Sequence, residues 1–272
     1  MKKVLFATTA LIATAGVASA DVTVGGYGFL GATFDGSTNT TTVSHKMRVT
    51  FKGSVETDSG IKFTAASRMN ISDTTKDAAA NALERGKITM SSGGLTLAVG
   101  ATNGAMKSLA RVASYQGFND GGVVGMDSNT STLNDSGNNI YIGYAAGDFK
   151  VAVGADIAGT TQDIAASYTV NSFTIGAGAD SNNEWMIAAS YDGGNWSAAL
   201  GANSDNDIVL KAGYDISDAT SLSFAVDAAS GGTINSVGLS VSHDLGGASL
   251  VGTVGQTGGN TTVAGLGVMF SF

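Results

Sequence analysis

Along residues 149–157 the chain reads FKVAVGADI. Phe149, Val151, Val153, Ala155 and Ile157 share one parity, and Lys150, Ala152, Gly154 and Asp156 share the other. DIAASYTV at 163–170 separates Ile164, Ala166, Tyr168 and Val170 from Asp163, Ala165, Ser167 and Thr169, and DIVLKAGYDI at 207–216 alternates in the same way. A period of two puts successive side chains on opposite faces of a pleated strand, whereas a helical face needs 3.6. Alternating runs bounded by turn residues predict sixteen strands. They cover 22–34, 43–57, 61–70, 82–91, 95–102, 139–147, 149–157, 162–170, 173–180, 184–192, 196–203, 207–216, 220–228, 236–244, 248–257 and 261–272. Every second connection is a tight turn, such as Asp58-Ser59-Gly60 or Leu245-Gly246-Gly247, and the others are somewhat longer loops. An even strand count with turns at one end and loops at the other predicts an all-β, antiparallel up-and-down barrel that crosses a membrane.

The aromatic residues carry a repeat. Tyr144, Tyr168, Tyr191 and Tyr214 lie 24, 23 and 23 residues apart, and three of them precede a tight turn and a second aromatic five residues on: Phe149, Phe173 and Trp196. All fall on the apolar parity of their strands. Tyr and Trp favour the depth at which hydrocarbon meets headgroups, so these seven side chains are read as an aromatic girdle beside the turns. Aromatic pairs in the core of a soluble sandwich are the alternative, but that fold gives no reason for their repeated place beside turns.

The strand VSHKMRVTFKGSVET fixes which face is wet. Its even positions carry Lys46, Arg48 and Lys52, and its odd positions carry Val43, Met47, Val49, Phe51 and Val55. A cation facing lipid at mid-membrane costs about 2–4 kcal/mol, so the even face is assigned to the interior. Lys62, Arg68, Arg85 and Lys87 on the next two strands complete a basic wall. Sixteen strands enclose water rather than a packed core. One connection, the 36 residues 103–138, is far longer than the others. It is expected to fold inward and narrow the lumen, with Asp120, Asp127 and Asp135 as candidate counter-charges to the wall. A short helix is expected in GAMKSLARVAS at 104–114.

Composition sharpens this picture. Residues 1–20 have a dibasic start, an apolar run and a small-x-small end at Ala18-Ser19-Ala20, the pattern of a cleaved secretory signal; residues 21–272 then form a single barrel domain. The remaining chain holds 12 basic and 22 acidic side chains, a balance that argues against nucleic-acid binding. It contains no cysteine and no proline, so backbone pairing rather than disulfides must hold it together. His45 and His243 are the two histidines; one has lipid parity and one lies beside a turn, and no catalytic constellation or metal motif forms around them. No enzyme activity, cofactor or metal is expected. The segment GYGFLG at 26–31 has dinucleotide-type glycine spacing, but ATFDGSTNTTT follows without a helical period. It is read instead as part of the first strand, its glycines serving curvature or close approach where that strand meets the last.

Three segments carry a resemblance: the leader joined to DVTVGGYGFLGATFDG, ITMSSGGLTLAVGATNGAM running into the long connection, and the C-terminal VAGLGVMFSF. With them the chain resembles alphaproteobacterial general diffusion porins over its whole length. Leu266, Val268, Phe270 and Phe272 at the end resemble the signal read by the outer-membrane assembly machinery. The resemblance implies a 16-stranded homotrimer among outer-membrane lipids, a third loop folded inward, and passive diffusion of small hydrophilic solutes and ions. Some relatives carry calcium at the constriction, but no motif for it is matched here. A substrate-selective channel is the nearest alternative; an outer-membrane barrel hydrolase is a more distant one.

Overall fold

The structure is a computed structural model describing residues 20–72, 83–112, 133, 139–229, 233–258 and 260–272. The strands are β1 (Asp21–Asp35), β2 (Thr40–Glu56), β3 (Lys62–Ser72), β4 (Glu84–Ser92), β5 (Leu95–Gly100), β6 (Asn139–Ala146), β7 (Phe149–Asp156) and β8 (Gln162–Val170). They continue with β9 (Phe173–Asp180), β10 (Trp185–Asp192), β11 (Trp196–Asn203), β12 (Ile208–Ser217), β13 (Thr220–Ala229), β14 (Thr233–Asp244), β15 (Ala248–Thr257) and β16 (Thr261–Ser271). One short helix, α1 (Ala105–Leu109), follows β5 and covers the first part of GAMKSLARVAS. Each strand pairs antiparallel with its sequence neighbour, and β1 pairs with β16 to close the ring. The sixteen strands match the sequence reading to within three residues at every boundary.

Alternation explains the two faces. Val43, Met47 and Phe51 of β2 are exposed, while Ser44 between them is buried. Ile164, Tyr168 and Val170 of β8 are exposed, and Asp163, Ala165 and Ser167 are buried. A closed wall that shows aliphatic residues outward and polar or small ones inward is the reverse of a soluble barrel, and it suits hydrocarbon outside and water inside. Among the described residues, no helix is long and apolar enough to cross a membrane.

The tight turns lie between β2 and β3, β4 and β5, and so on through β14 and β15. Gly147 (φ 60°) and Asn171 (φ 52°) occupy the left-handed region there, which a two-residue hairpin requires. The seven aromatics stand in one band beside these turns. Phe149 pairs with Tyr168, Phe173 with Tyr191, and Trp196 with Tyr214 across adjacent strands. Tyr191 lies between two rings, with centroids 4.6 Å from Phe173 and 4.6 Å from Trp196.

The seam explains the glycines of GYGFLG. Gly26 N–H donates to Phe272 O at 2.8 Å, and Phe272 N–H donates to Gly26 O at 3.0 Å. Gly28 stands opposite Phe270. A Cβ on Gly26 would lie 2.8 Å from the Phe272 ring, and one on Gly28 would lie 2.7 Å from the Phe270 ring. The two rings therefore lie across the two bare backbones on the outer face, an arrangement in which an aromatic shields a glycine in the neighbouring strand. The C-terminal residues close the barrel and fill the space that the first strand leaves empty.

Gly28→Leu is expected to lower the stability of the folded barrel by about 1–3 kcal/mol through overpacking. Combined with Phe270→Ala, it should cost less than the two single changes added together, because both act on one contact. Thermal unfolding in detergent, followed by the gel shift between folded and unfolded forms, measures both effects.

Candidate channel lumen and its charged wall

Three neighbouring strands bring the basic residues to one patch of the inner face. Arg48 is held from both sides: its Nε donates to Asn70 Oδ1 of β3 at 2.7 Å, and its guanidinium lies 5.0 Å from the ring centroid of Tyr27 on β1. A planar cation between an amide and a ring face gives up rotational freedom and points in a fixed direction. Thr50 of β2 faces Arg68 of β3, and Ala66 faces Lys87 of β4.

The β3–β4 ladder then shifts register between Ala66 and Arg68. Arg85 sits in this bulge with φ 55°, while every other described non-glycine residue with positive φ is an asparagine. An arginine gains nothing locally from that backbone region, which costs a side chain with a Cβ about 1–2 kcal/mol. A bulge re-aims the side chain it carries. Arg85 accordingly lines a cavity of about 370 Å³ together with Arg48, Arg68, Lys87, Ser108 of α1 and Tyr141 of β6. Lys46, Lys52 and Lys62 share the inner parity but do not line this cavity. Lys52 and Lys62 are exposed nearer the turn end of the wall.

The far wall is built differently. Seven strands lie between β3 and β11 in either direction round the ring. Between the two, α1 lies on β7, β8 and β9, and Ala105, Met106, Ala152, Ala165 and Met186 form a buried apolar cluster. Small wall residues allow this approach: a Cβ on Gly176 would collide with the carbonyl of Leu109, and one on Gly178 would lie 2.8 Å from Met106. Further along, Val112 packs among Val209 and Ala225. The covered positions alternate with exposed ones, so residues 104–112 lie against the inner face.

The acids expected opposite the basic patch, Asp120, Asp127 and Asp135, lie outside the described residues. Carboxylates that the sequence reading did not select stand on the inner parity of the wall: Asp163 on β8, Asp180 on β9, Asp215 on β12 and Asp227 on β13. Their signal was available, because each falls on the polar side of its alternating run. Asp163 is 4 % exposed and receives Ala105 N–H and Met106 N–H. The wall thus gathers cations in the β2–β4 sector, while the strands beyond it carry these carboxylates together with Lys150 on β7 and Lys211 on β12. His45 is exposed on the outer parity, and His243 Nδ1 lies 2.8 Å from Thr220 Oγ1 beside a turn. Among the described residues, no group of three potential ligands could hold a metal ion.

A closed sixteen-stranded antiparallel barrel with an aliphatic outer face and a polar, charged inner face defines a transmembrane diffusion channel. The chain belongs to the Gram-negative porin family, whose profile matches residues 7–270, and it forms a general diffusion channel of that type, a channel fold rather than an enzyme fold. Solved structures of engineered Rhodopseudomonas blastica porins share the architecture. Two of these mutants each superpose with a TM-score of 0.78 at 21% identity, covering 93% of this chain and 100% of the other. A third structure, described as concerning asymmetric conductivity of engineered proteins, has a TM-score of 0.76 at 21% identity and the same coverage. A search of curated proteins by sequence finds no match.

Replacing Arg85 separates backbone strain from charge. Arg85→Gly should leave the unfolding temperature in detergent unchanged or slightly raised, because glycine enters the left-handed region freely. Arg85→Val should lose about 1–3 kcal/mol at the same position. Equal losses in the two variants would show that the bulge imposes no such strain.

Proposed function

We propose that this porin passes small hydrophilic solutes and ions down their gradients through a lumen narrowed by residues 103–138. Transport in this reading is by size and charge alone, without chemistry or a bound cofactor. The observation that carries it is the convergence of Arg48, Arg68, Arg85 and Lys87 on one cavity beside α1. Closely spaced like charges are tolerable only in water or facing counter-charges. Cations on one wall and carboxylates on the opposite wall and on the long connection (Asp120, Asp127, Asp135) would set up a field across the channel. Such a field aligns dipolar solutes and slows apolar ones.

Residues 1–20 would act as a cleaved export signal, delivering residues 21–272 to the outer membrane. Leu266, Val268, Phe270 and Phe272 would be the residues that the assembly machinery reads. The band from Tyr144 to Tyr214 would lie at the membrane interface. The association state that fits the family is a homotrimer. In this reading Lys46, Lys52 and Lys62 extend the basic wall towards the mouths rather than forming its narrowest point.

Planar-bilayer recording tests these statements together. Insertions should come as conductance steps in groups of three, and current should rise linearly with solute-free salt concentration. Deleting 108–134 should enlarge the single-channel conductance; no change would refute the narrowing. Arg48→Ala with Arg68→Ala should move the reversal potential in a salt gradient towards cation preference. Saturable, solute-competitive conductance would instead identify a substrate-selective channel.

A further inference from the structure

The short helix α1 has no means of standing alone. It contains five residues, its N-cap is Gly104, and no side chain from its own segment caps it. An isolated helical turn of this length is unstable in water, because nucleation is costly and few bonds repay it. Its first amides are satisfied from a distance. Asp163 on β8, 58 residues beyond Ala105, accepts Ala105 N–H through Oδ1 at 2.9 Å and Met106 N–H through Oδ2 at 3.0 Å. Each carboxylate oxygen takes one amide.

The surroundings are shaped for that carboxylate. A Cβ on Gly104 or on Gly154 of β7 would run into the Asp163 side chain, so the two glycines leave the space it occupies. Burying a carboxylate is unfavourable unless it is hydrogen-bonded, and a helix start supplies both free N–H groups and positive potential. The outgoing and returning arms of the long connection also meet here. Gly104 N–H donates to Leu133 O at 3.1 Å, and Asn139 Nδ2 donates to Thr102 O at 2.7 Å. Asp163 therefore bonds to the connection at its base, where the two arms are tied together.

We propose that Asp163 is a positioning residue: its buried carboxylate caps α1 from the barrel wall and so fixes the geometry of the channel's narrow section. The proposal rests on the reading that this connection narrows the lumen. Asp163 needs no contact with passing solute. It acts by keeping Ser108, which lines the cavity of the basic patch, at a set distance from that patch.

The chain has no cysteine, so a single thiol can report where α1 sits. Met106 of α1 is fully buried, and Val251 is 8% exposed on β15, away from α1. Met106→Cys and Val251→Cys are each combined with Asp163→Ala and with Asp163→Asn. Asparagine preserves the shape but turns a donor towards one of the two amides, so it carries the test if the alanine variant does not assemble. Labelling of the folded barrel by a water-soluble maleimide is followed, and single-channel conductance is recorded on the same samples. The thiol of Met106→Cys should label at least about tenfold faster in the Asp163 variants, the ratio equivalent to about 1.4 kcal/mol, while that of Val251→Cys keeps its rate. Conductance should change in size and become noisier. An unchanged Met106→Cys rate overturns the proposal. Equal acceleration at both thiols also overturns it, because Asp163 would then be supporting the whole barrel. Faster labelling at Met106→Cys alone, with unchanged conductance, upholds the cap and refutes the narrowing.

Discussion

Hydrocarbon offers no partner to a peptide group, and the rest of this structure depends on that constraint. An unpaired N–H or C=O in a bilayer costs several kcal/mol, so a sheet that spans one must have no edge. The first and last strands have to meet, and here they do so through Gly26 and Phe272, whose backbones exchange two hydrogen bonds. The side chains follow from this closure. Bringing the last strand's outward phenylalanines beside the first strand would crowd any residue with a Cβ, and glycine at 26 and 28 removes the obstacle. The same rings then cover backbone that would otherwise be bare to the membrane. One contact thus satisfies both the pairing rule and the packing rule.

Once closed, the wall has two solvents, and the period of two sorts residues between them. This is why β2 tolerates three cations within seven residues: each shares its face with Ser44 and Thr50 rather than with Phe51. Cations collected on β2–β4 then face water, and the ring places carboxylates on β8, β9, β12 and β13, with Lys211 among them on β12. Two of the arginines gain direction as well as charge. Arg48 is pinned between Tyr27 and Asn70, and Arg85 is turned inward by a bulge. A flexible lysine row would place similar charge over a wider region with less directional definition.

The strand order and the two faces are legible because each rests on a local rule repeated many times. A parity error in one strand would have put Lys46, Arg48 and Lys52 into lipid, so charge corrected the register without help from tertiary structure. The bulge at Arg85 has no such local mark, since nothing in LERGKI signals a left-handed arginine. Asp163 was placed on the polar parity and given no role. Its partners lie 57 and 58 residues away, and only the folded ring brings α1 onto β8. Residues with a local reason for their position could be read from the chain, whereas those whose reason lies across the lumen could not.

The glycines show the same division more sharply. In GYGFLG the spacing suggested a phosphate cradle, and the absence of a following helix removed that reading. What the glycines accommodate is at the opposite end of the chain, in Phe270 and Phe272. At 104, 154, 176 and 178, glycine also serves a distant partner: it lets a helix and a carboxylate come within contact distance of the wall. A chain with 39 glycines therefore carries much of its long-range information in residues with no side chain. Each such position is specified by what must pass close to it. On the outer face that is an aromatic ring at the seam, and on the inner face it is α1 and the carboxylate of Asp163.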